Sequence, residues 1–132
     1  MTVTSRRERA LQVVLVVLGV LTAVANIYPL VTSFLAGLRP TGGTTAPMFY
    51  TILATLGLFL VLTARNPSAY RSFIAYAVWF SFAHTAVMAL MAIQLPTRRG
   101  ELLAGVAVTG LGAVLLFVFA RSSARSEAAG PA

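Results

Sequence analysis

The chain has 132 residues, 58% hydrophobic and 10% charged; its 10 basic residues are all arginine, its 3 acidic residues all glutamate, and it has 1 histidine and no cysteine. A soluble domain carries about 25% charged residues, so an ordinary soluble domain is excluded, and the missing cysteine excludes disulfides, thiolate metal sites and thiol chemistry. With glutamate only at Glu8, Glu101 and Glu127 and no aspartate, paired-carboxylate catalysis has no material, and the composition is that of an integral membrane protein.

Four apolar runs occupy residues 10–35, 48–64, 72–95 and 102–120. Each lies near the roughly 17–25 residues a helix needs to cross a hydrocarbon core of about 30 Å. Strand-like alternation is absent, which argues against a membrane barrel. Hydrocarbon also requires backbone amides to pair within their own segment. The prediction is an all-α polytopic membrane protein with four antiparallel transmembrane helices in a single domain, 1–121. A small, polar tail, 122–132, is expected to be flexible.

Arg6, Arg7, Glu8 and Arg9 precede run one. This start, the apolar stretch and Ala23-Val24-Ala25 have the shape of a secretory signal with a cleavage site, and Ser5-Arg6-Arg7 resembles the start of a twin-arginine signal. Hydrophobic sequence continues past Ala25 to Leu35, so an uncleaved first helix is expected. Asn26 falls in its outer half, and Tyr28 falls near the outer interface, where tyrosine is favoured. Pro29 has no amide hydrogen and is expected to kink or end the helix, freeing the Ala25 carbonyl. Arg39-Pro40-Thr41-Gly42-Gly43-Thr44 then forms a strong turn signal.

Run two carries Tyr50, Thr55 and the small residues Ala54 and Gly57. It stops at Arg65-Asn66-Pro67-Ser68, because the residue before a proline avoids the helical region. Ser68 is expected to cap the third helix, which Arg71 begins. In run three, Ile74, Ala77, Ser81, His84, Met88 and Met91 recur every third or fourth residue and form one seam. Trp79, Phe82, Ala86, Leu90 and Ile93 lie roughly opposite and are read as the lipid face. The run ends at Pro96-Thr97-Arg98-Arg99-Gly100. In run four, Gly105, Thr109 and Gly112, with Ala113 beside them, are small enough to let another helix approach closely.

Arginine bias sets the orientation. Arg6, Arg7, Arg9, Arg65, Arg71, Arg121 and Arg125 fall on one side, against Arg39, Arg98 and Arg99 on the other. Positive charge stays cytoplasmic, so both termini are expected inside. Arg98 and Arg99 are the exceptions, partly offset by Glu101. The formal net charge of +7 therefore serves anionic headgroups, not nucleic acid.

Polar residues inside a membrane are the best pointers to a site. At a rise of about 1.5 Å per residue, His84 sits about 18 Å from the inner boundary, near the midplane, level with Thr55 and Thr109. Asn26 and Met88 lie a turn further out, with Tyr28 and Tyr50 beyond. The candidate cluster is thus Asn26, Thr55, Ser81, His84 and Thr109, with Tyr28 and Tyr50 near it. Its first reading is helix packing, because such groups bond across helices. Its alternatives are a quinone or lipid headgroup bound by His84, Asn26 or Tyr50, haem on His84 within a dimer, Cu(I) on His84, Met88 and Met91, or a proton relay through His84. No buried titratable partner supports the relay.

Small multidrug-resistance transporters depend on a glutamate in the first helix, and run one has no acid; thiol-oxidising quinone enzymes need cysteine pairs. Both are excluded. The stretch Ala64-Arg65-Asn66-Pro67-Ser68-Ala69-Tyr70-Arg71-Ser72-Phe73-Ile74, then Trp79-Phe80-Ser81-Phe82-Ala83-His84-Thr85-Ala86-Val87-Met88-Ala89, resembles a family of uncharacterised small bacterial four-helix membrane proteins, as does Ile27-Tyr28-Pro29-Leu30. The likeness covers the first helix through the third and carries no activity or cofactor with it. A looser likeness to DoxX-type proteins rests on architecture alone.

The expectation is a non-enzymatic multi-pass protein of the bacterial inner membrane, without a cofactor. Its partners would be the lipid bilayer and either further copies of itself or a larger membrane complex. The alternative is a ligand or redox-carrier site centred on His84. Solute permeation is disfavoured, because the inner half below Ser81 is almost wholly apolar.

Overall fold

The computed structural model describes residues 3–37 and 45–128, with side chains over 6–37 and 46–122. These residues hold four α-helices: α1 (Val3–Leu35), α2 (Thr45–Thr63), α3 (Arg71–Gln94) and α4 (Arg99–Ala128), with a single 3-10 turn, Pro96–Arg98, before α4. No strand occurs among them. All four helices are long and apolar enough to cross a membrane. The turn expected at 39–44 lies outside the described residues.

The helices overrun the apolar runs furthest at two ends. α1 starts at Val3 and takes in Arg6, Arg7 and Arg9, and α4 continues to Ala128, through residues the sequence reading gave to a flexible tail. Arginine, glutamate and alanine are good helix formers, so a helix begun in hydrocarbon continues into the polar segment. Pro29 does not end α1, which runs on to Leu35. Two hydroxyls return to the proline carbonyl instead: Thr32 Oγ1 donates to it at 3.0 Å and Ser33 Oγ at 2.6 Å. Ser68 is not the cap of α3. Tyr70 holds that position, with φ −113° and no capping side-chain bond, and its own amide donates to the Pro67 carbonyl at 3.2 Å.

The chain divides into two compact units, Gln12–Asn66 and Met1–Leu11 with Pro67–Ala132. In the first, α1 and α2 run antiparallel and meet backbone to backbone. A Cβ on Gly57 would stand 2.6 Å from the Gly19 carbonyl oxygen and 3.0 Å from Ala23 Cα. A Cβ on Gly19 would stand 2.7 Å from the Gly57 carbonyl oxygen. Only glycine at both positions permits this approach. Gly57 was expected at a helix contact; its partner Gly19 was not singled out, although Gly19 and Ala23 are small residues four apart.

In the second unit α3 and α4 are antiparallel neighbours. Phe82 meets Phe117 edge to face at 6.4 Å, Thr85 meets Thr109, Met88 meets Gly105, and Arg99 reaches Ala92. Phe82 was placed on the lipid face and instead packs against α4. Arg99 Nε donates to the Ala92 carbonyl at 3.1 Å. That carbonyl is one of the last four of α3, which lack partners within the helix, and the cation also suits the negative end of the helix dipole. Arg98 pairs with Glu101 at 3.1 Å, an exposed pair of adjacent turns. Such pairs contribute little, but this one removes a net positive charge from the loop that disagreed with the arginine bias.

Candidate functional site

The seam of α3 is the best place for a site, and the structure resolves which of its members face inward. Ile74, Ala77 and Val78 are buried, Ser81, His84, Thr85 and Met88 are half-buried, and Ala92 is 2% exposed. Met91, expected inward, is 39% exposed. The reason is geometric. A strict heptad seam drifts about 20° per heptad on a straight helix, so after two and a half heptads the inward position passes from Met91 to Ala92. The lipid face behaves as its chemistry requires, with Trp79 and Ile93 both 71% exposed.

The polar centre of this unit is a hydroxyl ladder, of which Ser81 and Thr109 were expected and Thr85 was not. Ser81 Oγ donates to the Ala77 carbonyl at 2.7 Å. Thr85 Oγ1 lies 2.8 Å from the Ser81 carbonyl, Thr109 Oγ1 lies 2.8 Å from the Gly105 carbonyl, and the two threonine oxygens are 2.9 Å apart. Each hydroxyl has one proton and can accept as well. Three contacts therefore share two protons, and two orders are possible. Either Thr85 donates to Thr109, which donates to Gly105, or Thr109 donates to Thr85, which donates to Ser81. In both orders one backbone carbonyl gives up its threonine donor, and the two helices are tied near mid-span.

His84 stands beside this ladder. Its ring is stacked on Phe80, with centroids 6.2 Å apart and planes inclined by 2°. Phe80 in turn packs on Tyr76 at 5.9 Å, so the histidine ends an aromatic row along one flank of α3. The soft-ligand set of His84, Met88 and Met91 does not share one inward face. The methyl end of Met88 lies against Gly105, while Met91 turns outward. Among the described residues no three of histidine, cysteine, aspartate or glutamate come together.

The remaining candidates belong to the α1–α2 unit. Asn26 Nδ2 donates to the Thr22 carbonyl of its own helix at 2.7 Å. Thr55, expected to face inward, is exposed. It lies two residues from Gly57, about 200° around the helix from the α1 contact. Tyr50 is half-buried and Tyr28 is 74% exposed. The buried hydroxyl of α2 is Thr63, which was not singled out; it is 3% exposed and donates to the Phe59 carbonyl at 2.7 Å. Its position between Leu60 and Ala64, which are also buried, was the available signal.

Four apolar helices whose polar side chains are largely turned to backbone carbonyls define a small multi-pass membrane protein. The chain belongs to a family of unknown function, DUF6632, whose model matches residues 6–131. No curated protein and no solved structure matches it.

Proposed function

We propose that this is a non-enzymatic accessory protein of the bacterial inner membrane, with both termini cytoplasmic, that works by packing with further copies of itself or with a larger membrane protein. The observation that supports this most is the use made of the intramembrane polar groups. Asn26, Thr63, Ser81, Thr85 and Thr109 direct their polar atoms to carbonyls or to one another. Three of these groups are spent on their own helix and the Thr85–Thr109 pair ties α3 to α4, which leaves little to grip a polar substrate. The arginine bias supports the orientation.

A second reading places a ligand or redox carrier on His84, and its half-buried ring against Phe80 favours it. Purification in mild detergent, with an absorbance spectrum, metal analysis and native mass, separates the two. The accessory role predicts a colourless, metal-free protein that travels as an oligomer or with a larger membrane protein, and only mild destabilisation by His84→Ala. A monomer carrying haem, copper or quinone that His84→Ala releases would overturn it.

A further inference from the structure

The α1–α2 unit carries a surface groove of about 480 Å³ lined by Gln12, Val13, Val16, Val17, Val61, Ala64 and Arg65. Its floor and walls are apolar, while its two polar groups, Gln12 and Arg65, both lie at one end. That end follows the last turn of α2, where a membrane-spanning helix reaches the headgroups. From Gln12 to Val17 the groove rises about 7.5 Å along α1, the length of the first several methylenes of an acyl chain.

We propose that this groove holds one anionic phospholipid, its phosphate on Arg65 and Gln12 and the start of one acyl chain along Val13, Val16, Val17 and Val61. Charge argues for the occupant. No acidic residue occurs between Glu8 and Glu101, and Arg65 has no ion-pair partner among the described residues. The exposed Arg65 guanidinium is therefore open to an anion from outside the protein. A guanidinium grips a phosphate through two parallel N–H donors, and the glutamine amide offers another. The lipid is the source that brings an anion and an acyl chain together on the flank of two spanning helices.

The test is native mass spectrometry of the full chain in detergent, with phosphatidylglycerol or phosphatidylcholine added. The wild type retains phosphatidylglycerol in preference to phosphatidylcholine. Arg65→Gln, outside the helices, lowers that retention about fivefold, the scale of one arginine at an anionic surface. Val16→Trp, which fills the groove, lowers it as well. Arg121→Gln, whose guanidinium lies over Phe117 at 5.8 Å, leaves it unchanged. Equal retention of the two lipids, undiminished retention in Arg65→Gln, or an equal loss in Arg121→Gln would overturn the proposal. So would a Val16→Trp chain that loses a dimer and keeps its lipid, since the groove would then be a contact between copies.

Discussion

Thr85 and Thr109 share a side-chain hydrogen bond between α3 and α4 at 2.9 Å, and its value follows from what each hydroxyl does when the other is gone. Thr109→Val keeps the shape and removes the oxygen. Thr85 then donates to the Ser81 carbonyl at full strength, so only the tie between helices is lost. Cross-helix bonds of this kind contribute about 0.6 kcal/mol on average in a membrane. Thr109→Val and Thr85→Val are each expected to destabilise the chain by about that amount, and the double variant by no more than either single one. Reversible unfolding in detergent checks this. Full additivity would show that the two oxygens do not interact. By contrast, Glu101→Gln removes an exposed pair and is expected to change stability by less than about 0.5 kcal/mol in the same assay.

At the scale of elements, glycines in the two units face different neighbours. A Cβ on Gly57 meets backbone atoms of α1, which cannot move without separating the helices. A Cβ on Gly105 meets the methyl end of Met88, a flexible side chain that can turn aside. Gly57→Ala is therefore expected to destabilise the chain by about 1–3 kcal/mol, the range for overpacking. Gly105→Ala is expected to be near neutral, since alanine also favours the helix. Thermal unfolding of the two variants side by side is the check, and equal losses would contradict the difference in neighbours.

The same elements show what was legible in the residues alone. The four runs were plain because a span must be continuously apolar, and the seam from Ile74 to Met88 was plain because its small and polar residues recur at helical spacing. Met91 was misplaced by treating a 3.6-residue helix as a 3.5-residue repeat. Thr55 was misplaced because depth can be counted from one sequence, whereas facing requires knowing where the neighbour lies. Thr85 was overlooked because it lies about 100° around the helix from His84, off the heptad seam, yet it meets Thr109. Ser68 looked like a cap because serine favours that role, but a helix that starts at Arg71, as expected, has its cap position at Tyr70.

For the molecule as a whole, length, apolar surface and arginine distribution converge on four crossings. Most of the helix surface is apolar and outward, with Val108, Leu111, Ile93 and Trp79 all exposed. In water such a surface would drive aggregation; in lipid it is the solvated face. An even number of crossings returns the chain to its starting side, placing Ser68 with the amino terminus and Thr97 opposite. The chain has no cysteine, so single cysteines at Ser68 and Thr97 can be labelled without background. The direct measurement is reaction of these two variants with a membrane-impermeant maleimide, in intact cells and after permeabilisation. Four spans with cytoplasmic termini predict that Thr97→Cys reacts in intact cells and Ser68→Cys only after permeabilisation; labelling of both positions from the same side, or of Ser68→Cys in intact cells, would contradict that arrangement.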